Sequence, residues 1–519
     1  MCGIAGILGD ANQTEVETML ESMIAKIKHR GPDGKGGHYD PGAHYAFGHC
    51  RLAIMDPQGG AQPLFSEDNS IVMVDNGEIY NFPALRANLQ ARHEFRTYSD
   101  SEAIVHLFEE QGAAAFAQLD GMFALALHAK DAFWLARDPI GIKPLYYGYK
   151  QGQQANTTGA KSTIYFGSEL KSLVDVADEV HEFPPGVYFD SRYGFTRYYE
   201  VPDRTPEPLA VADVARRVRT TLEAAVTKRL MSDVPVGAFL SGGLDSSLIA
   251  AIARQHVDQL HTFSVGIEGS PDIQAARVVA KHIDSIHHEY LYTVDDVRQH
   301  LPEIIYHLES FDQDLVRSAI PCYFCSRLAA KHVKVILTGE GADELFAGYR
   351  YYKEYRDAAN LHRELRRSVT ALHNINLQRV DRLTMCHGIE GRVPFLDTAM
   401  IDLAQSIEPA LKLKRAPNGR QVEKWILRKA CEDLLPAAIV WRDKAQFDEG
   451  SGTVDLLGPL LETMTAGMDA PSYMAAHAQD KLRSTEECFY HKLLAESFRH
   501  SRVVLDNVGR WSGEHRASV

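Results

Sequence analysis

The chain has 519 residues, 45% hydrophobic and 24% charged, proportions that exclude fibrous, low-complexity and wholly disordered proteins. At roughly 150 residues per domain its length predicts two to four domains. Fifty-five Lys and Arg against 69 Asp and Glu leave a net charge of −14, whose field repels phosphate backbones and anionic lipid, so neither nucleic acid nor a membrane is an expected partner.

In chain order, Met19, Leu20, Met23, Ile24 and Ile27 recur at helical spacing and predict an amphipathic helix over 13–28. Turn-rich 29–34 closes it. Short alternating or apolar runs at 44–48, 51–55, 71–76, 123–128, 132–136, 164–167 and 186–190 read as strands, with helices at 100–111 and 113–119, giving an antiparallel-rich α+β unit over 2–200. Polar 151–162 reads as a mobile hairpin tip. Pro202, Pro206 and Pro208 mark 201–210 as a linker, because proline blocks both helix continuation and ladder pairing. Over 211–519 the pattern changes to helix 211–231, strand 234–240, helix 246–255, strand 261–266, helix 272–283 and strand 333–338, an alternation that predicts a parallel, doubly wound sheet. The last third is helix-rich.

Seven scattered cysteines are not a disulfide framework, and no apolar run reaches the 18 or so residues that span a bilayer. With no basic stretch ahead of the short apolar patch at 4–8, the expectation is a reducing, cytoplasmic setting. Cys322 and Cys325 have metal-like spacing but lack a second pair and lie in an apolar helical stretch, which argues for core positions rather than a zinc site.

Three constellations carry chemistry. Removal of the initiator methionine leaves Cys2 with both a thiol (~8.5) and a free α-amine (~7.7–8.0), so one residue can supply nucleophile and base. Asn76, Gly77 and Glu78 then offer a side-chain amide, an approachable backbone N–H and a carboxylate, Arg51 can grip an α-carboxylate bidentately, and Asp100 can bind an α-ammonium. Read singly, each is a solvated loop or turn residue. Second, the strand ending at Leu240 runs into Ser241, Gly242 and Gly243 and then a helix carrying Leu244, Asp245, Ser246 and Ser247. There backbone N–H groups and a helix N-terminus converge as an anion cradle. The Walker A lysine and spacing are missing; the pattern suggests the pyrophosphate of ATP, with cleavage between the α and β phosphates. The plainer alternative is a glycine turn with Asp245 or Ser246 as N-cap. Third, Glu340, Asp343 and Glu344 place three carboxylates in five residues, costly unless a cation neutralises them, so Asp343 with Asp245 is a candidate Mg²⁺ site and Glu340 a candidate near the acceptor. A solvated acidic helix start is the alternative. Lys444, taken alone, is a surface charge.

Together these residues resemble the glutamine-hydrolysing asparagine synthetases over nearly the whole chain. The likeness includes Met-Cys-Gly-Ile at the start, His29-Arg-Gly-Pro-Asp33, Arg51-Leu-Ala-Ile-Met-Asp56, Asn76-Gly-Glu-Ile-Tyr-Asn81, the run from Arg137 to Tyr146, and Ser168-Glu169. It continues through Ser241–Ser247, Gly339-Glu-Gly-Ala-Asp-Glu344, Glu390-Gly-Arg-Val-Pro-Phe-Leu-Asp397 and Lys444. The resemblance implies an α+β N-terminal-nucleophile glutaminase sandwich followed by an α/β doubly wound ATP-pyrophosphatase synthetase domain. It implies that Cys2 attacks the glutamine amide, that Arg51, Asn76, Gly77, Glu78 and Asp100 bind glutamine, and that Asn76 and Gly77 shape the oxyanion hole. Leu240 and Val265 would lie near adenosine, Ser241 to Ser247 on the pyrophosphate, Thr338 and Gly339 near the nucleotide, and Glu340 and Lys444 beside the acyl-adenylate. Ammonia would cross between the sites internally. ATP and Mg²⁺ are the implied substrate and cofactor, and glutamine and aspartate the further small-molecule partners; a homodimer stays open.

One stretch departs from the family. Where its aspartate-using members often place two hydroxyl residues before an arginine, this chain has Asp314-Leu315-Val316-Arg317. Arg317 remains suited to an acceptor carboxylate, while Asp314 and Leu315 leave open a carboxylate other than aspartate, in a peptide or a specialised metabolite. Amidotransferases that deliver ammonia to sugars or ribosyl phosphates would lack Ser241–Ser247, and the related ring-forming amide synthetases lose the cysteine. A non-catalytic regulator on a degenerate frame is the competing class, separable by AMP and glutamate release.

Overall fold

The computed structural model describes residues 2–9, 13–150, 163–416 and 418–510; Met1 and the expected hairpin tip lie outside them. In the first half two six-stranded antiparallel sheets face each other. Strand Cys2–Leu8 is interior to one, paired with Tyr45–Arg51 and Ile164–Gly167. Its alternation explains its complete burial: Ile4 and Leu8 enter the layer between the sheets with Phe47, Val72, Val74 and Phe166, while Ala5 and Ile7 face helix Gln13–Ile27. Helix Glu102–Gln111 covers the outer face of the second sheet. The result is the α+β sandwich that the resemblance implies.

In the second half five strands are all parallel, in the order Ile286–Leu291, His261–Gly266, Val236–Phe239, Val335–Leu337, Glu390–Arg392. Ala238, Val335 and Leu337 pack with helices Val211–Lys228 and Leu244–Arg254, whereas Phe263, Val265 and Ile336 pack with Val294–Leu308 and Gln313–Ala329. Helices thus lie on both faces of a doubly wound sheet. The strand order reverses at Val236–Phe239, and ligand crevices form at such a point beyond the carboxyl ends of the strands. Segment 201–210 has no helix or strand beyond one bridge, Glu207 to Ile407. Among the described residues no helix is long and apolar enough to cross a membrane. Cys322 and Cys325 are buried, free thiols on helix Gln313–Ala329.

Two readings need correction, and further strands were not expected. The expected strand 51–55 ends at Arg51, because the Arg51 guanidinium donates to the carbonyls of Met55, Asp56 and Pro57 and turns the chain back on itself. The expected helix 113–119 is a 3₁₀ segment, Gly112–Gln118. Strands Gly34–Asp40 and Ile286–Leu291 went unpredicted; both are largely solvent-facing edge strands, one glycine-rich and one polar, without an apolar alternation.

The halves are joined by ions. Arg30, Lys143, Glu169 and Lys171 meet Glu309, Asp381 and Arg382 in a cluster whose side chains are at most 2% exposed. Arg30 reaches Glu169 and Asp381 at 2.7 Å each, Lys171 reaches Glu169 at 2.5 Å and Glu309 at 3.0 Å, and Arg382 reaches Glu309 at 2.7 Å. Burial pushes the Glu169 carboxyl up, but Lys171, His29 and Arg382 override it and hold it well below the usual range. Removing one partner of such a pair leaves an uncompensated buried charge. Arg382→Met should therefore cost roughly 3–5 kcal/mol in urea denaturation, and adding Glu309→Gln should recover part of that loss.

Candidate active sites

The first site is built where the edge of strand Cys2–Leu8 meets strand Ile71–Ile79 of the facing sheet. The backbone nitrogen of Cys2 donates to Asn76 Oδ1 at 3.0 Å, across 74 residues of sequence. Once Met1 is removed, that nitrogen is the α-amine. Asn76 Nδ2 is buried with no hydrogen-bond partner, a donor left pointing at no protein acceptor. Cys2 is 7% exposed, and its carbonyl accepts from Arg30 Nε at 3.1 Å. Burial raises the thiol above its ordinary value, opposed by the Leu52 N–H and the Arg51 charge. A thiol so placed needs an adjacent base to become a nucleophile.

Gly77 admits no side chain, since a Cβ would lie 2.4 Å from the Met122 carbonyl and 2.7 Å from Phe123 Cβ. Asp100 is buried and accepts the Ile79 N–H at 2.6 Å; burial raises its carboxyl. Glu78 is buried with Oε2 outside hydrogen-bond distance of any partner, and burial, Asp100 and Glu390 lift it well above the carboxylate range. Arg51 stands opposite Cys2 in the ladder, but its fork is occupied by the three loop carbonyls, so it frames the site from behind rather than standing open to a carboxylate. Two residues near this site come from the other half of the chain. Arg392 lies 3.7 Å from Glu78 and binds Glu390 at 2.5 Å, both on the edge strand Glu390–Arg392 of the parallel sheet. Nothing in the local sequence around 390–397 signals this contact, because it forms across more than 300 residues of chain.

The second site is a cavity of about 590 Å³ at the reversal point of the parallel sheet. Leu240, Ser241, Gly243, Leu244, Asp245, Ser246, Val265, Thr338, Gly339, Glu340, Asp343, Arg317 and Lys444 all line it. Gly242 lies behind the loop at φ +68°, where a Cβ would meet the Ala276 nitrogen at 2.4 Å. Ser247 is buried inside helix Leu244–Arg254 with its hydroxyl unpaired. Ser241 Oγ is 3.1 Å from Ser246 Oγ and accepts the Gly243 N–H at 3.3 Å, so the loop folds over the helix N-terminus as a cradle for an anion. Gly339 brings the third constellation against it, its Cβ position 2.8 Å from Asp245.

Asp245 and Asp343 do converge, but the cation between them is Lys424, whose Nζ is 2.5 Å from a carboxylate oxygen of each. Lys444 adds a contact of 2.8 Å to Asp343 and 3.8 Å to Asp245. Burial would raise Asp343, yet the two lysines hold it well below the usual range, and the aspartates hold Lys444 protonated. An ammonium of the chain thus lies between these two carboxylates. Lys424 was not singled out, and it sits in the left-handed region at φ +54°, a conformation kept only where surroundings impose it. Asp245 Oδ1 is buried and unpaired, so one hard oxygen still fits a Mg²⁺ ion that enters with a phosphate.

Arg317 is likewise already engaged within the chain. It lines the cavity, but its guanidinium is held by Glu486 at 2.9 and 2.5 Å, with Asp314 at 3.7 Å, so its fork is not free for a ligand. Leu315 is 2% exposed and belongs to the core, which explains an apolar residue at this point. Glu340 binds Arg379, a buried cavity-lining residue that sequence reasoning missed, at 2.6 Å.

A glutamine amidotransferase domain model matches residues 1–193, and an asparagine synthase model matches 217–359 and 353–512. The chain is 40% identical over 526 residues to a glutamine-hydrolysing asparagine synthetase of Triphysaria versicolor, covering 96% of this chain and 86% of the relative. It is 40% identical over 527 residues to glutamine-hydrolysing asparagine synthetase 3 of Arabidopsis thaliana, covering 96% and 87%. A probable glutamine-hydrolysing asparagine synthetase of Dictyostelium discoideum is 37% identical over 546 residues, covering 98% and 96%.

The charge knot of the second cavity makes its own prediction. Lys424→Met leaves two carboxylates facing each other with only Lys444 between them and should lower the unfolding midpoint. Asp343→Asn in the same chain should restore much of it, because the repulsion goes with the charge.

Proposed function

The chain belongs to the glutamine-hydrolysing asparagine synthetases, ATP-dependent ligases that take nitrogen from glutamine, and we propose that its two sites divide that reaction as follows. Cys2 Sγ attacks the side-chain carbonyl of glutamine while the α-amine of the same residue takes the thiol proton. The hydrogen bond to Asn76 Oδ1 orients that amine and leaves its lone pair available. Asn76 Nδ2 and the Gly77 N–H receive the oxyanion. Collapse of the tetrahedral intermediate expels ammonia, which carries the transferred proton, and water then releases glutamate from the thioester. Glu78 and Asp100 face the α-ammonium of glutamine, and Arg51, its fork held by the loop carbonyls, frames the site behind them.

In the second cavity, loop residues Ser241 to Ser247 receive the ATP phosphates. Leu240 and Val265 flank the adenosine, and Thr338 and Gly339 lie beside the nucleotide. A side-chain carboxylate oxygen of aspartate attacks the α phosphorus and pyrophosphate leaves. Lys444, already paired with Asp343, is proposed to move onto the developing phosphate charge. Mg²⁺, held through Asp245 and Asp343, would neutralise the phosphates. Ammonia attacks the acyl carbon and AMP leaves, with Glu340 placed to take a proton from the incoming nitrogen. The products are asparagine, AMP, pyrophosphate and glutamate.

The observation that carries this reading is the Cys2 nitrogen seated on Asn76 with the amide donor of Asn76 unused. Cys2→Ala should abolish glutamate release, by at least about 10³-fold. It should leave AMP release with ammonium, ATP and aspartate within a few-fold of wild type. Asn76→Ala should slow glutamate release about 10²–10³-fold. Loss of ammonia-dependent AMP release in Cys2→Ala would contradict the division of labour.

The acceptor is proposed to displace Glu486 from Arg317 as its α-carboxylate enters. Glu486→Gln weakens the competing pair and should lower the KM for aspartate without changing glutamate release. An unchanged KM would remove Arg317 from acceptor binding.

A further inference from the structure

Away from both sites, on the outer helical layer of the first half, two imidazoles and two carboxylates turn toward one point. His93 comes from the segment ahead of helix Glu102–Gln111, His106 and Glu109 from that helix, and Glu67 from the turn between strands Leu64–Phe65 and Ile71–Ile79. His93 Nδ1 lies 3.2 Å from Glu67 and 3.4 Å from Glu109; His106 Nδ1 lies 3.5 Å from Glu67 and 3.7 Å from Glu109. One ligand atom from each of the four residues can be chosen so that all lie within 4.8 Å of one another. Ligands about 2.1 Å from a tetrahedral ion sit about 3.4 Å apart, and these contacts bracket that spacing.

Two further observations point to a ligand rather than to a chance acidic surface. His106 is fully buried, yet neither of its ring nitrogens has a hydrogen-bond partner. Of the two, Nδ1 is the one turned toward the shared point, and a buried nitrogen without a hydrogen bond is costly unless something outside the protein completes it. The far nitrogen of each ring also faces a separate carboxylate: His93 Nε2 lies 3.2 Å from Glu110, and His106 Nε2 lies 3.6 Å from Glu102. These carboxylates are themselves fixed, Glu110 by Arg92 at 2.6 Å and Glu102 by the Arg96 and Thr97 N–H groups at 2.7 Å each. A carboxylate behind each imidazole selects the tautomer whose Nδ1 carries a lone pair toward the shared point.

We propose that His93, His106, Glu67 and Glu109 form a structural site for one divalent transition-metal ion of the zinc class, with Glu110 and Glu102 as positioning residues. Two imidazoles and two carboxylates suit Zn²⁺ better than Mg²⁺ or Ca²⁺, which prefer an all-oxygen shell. The ion takes the Nδ1 lone pairs and the carboxylate oxygens directly, each imidazole keeping its Nε2 proton toward the carboxylate behind it. Its physical role is to pin the segment carrying His93 and the 67 turn onto helix Glu102–Gln111, which begins two residues after Asp100. A second histidine group, His261, His288 and His332, is less suited: it brings three imidazoles and no carboxylate, and His261 Nδ1 and His288 Nε2 already lie 2.9 Å apart as a hydrogen-bonded pair.

The test uses the full chain, stripped with a chelator and titrated with Zn²⁺ alone by calorimetry, and with Co²⁺ followed by the visible absorption of a four-coordinate site. The expected result is one ion per chain, bound about 100-fold more weakly by His93→Gln and by Glu109→Gln and about tenfold more weakly by Glu110→Gln. His288→Gln should bind as wild type does. Zn²⁺ should also raise the unfolding midpoint of the wild-type chain and not that of His93→Gln. No binding by the wild-type chain, or binding lost in His288→Gln and retained in His93→Gln, would overturn the proposal.

Discussion

Three carboxylates and four cations, all shut off from water, hold the two halves of this chain together, and the geometry of both sites depends on their pairing. Glu169 is the hub: it receives Arg30 and Lys171 from its own half and lies 3.6 Å from Arg382 of the other. Each ion loses its hydration on burial, a cost repaid only when every charge finds an opposite one at close range. Two apolar faces can slide on each other, but a set of fixed ion pairs is satisfied in one relative placement of its partners. Backbone groups reinforce it, since Glu309, itself in the left-handed region, also accepts the N–H groups of Leu170 and Lys171.

That placement lets one short strand serve both sites. Arg392 reaches toward Glu78 with its guanidinium, while its own carbonyl accepts the N–H of Thr338 at 2.9 Å, and Thr338 lines the second cavity. The Arg392 guanidinium also donates to the carbonyls of Arg229 and Met231 at 2.6 Å each. A displacement of this arginine would be felt at Glu78 on one side and at the nucleotide loop on the other. Residues far apart in sequence thus meet through a single edge strand of the parallel sheet.

The second cavity is organised by charge balance rather than by shape alone. Asp245, Asp343, Lys424 and Lys444 neutralise one another, and Gly348 is tied to the same point, because a Cβ there would lie 1.9 Å from Asp343 Oδ1 and 2.2 Å from Lys424 Cε. In the proposed reaction an incoming triphosphate would compete for those lysines and free carboxylate oxygens, so that ligand entry and the rearrangement of this knot would be one event.

Much of this was legible in the amino-acid sequence, and for local reasons. The strand into Ser241–Ser247 and the helix after it follow from apolar periodicity and two glycines. The antiparallel first half and parallel second half follow from the change of period near 201–210, and the family follows from ordered motifs. The strands at Gly34–Asp40 and Ile286–Leu291 were illegible because edge strands facing water carry no apolar alternation. Three residue roles lay equally beyond reach: Lys424 as the bridging cation, Glu486 on Arg317, and Glu390 with Arg392 beside Glu78. Each includes a contact across more than 80 residues of sequence, and no spacing rule connects such positions. The sequence by itself determined which chemical groups the chain owns and which local elements carry them. Only the tertiary structure decided which charge faces which, because Coulomb energies between buried groups depend on separations of a few ångströms that chain folding alone sets.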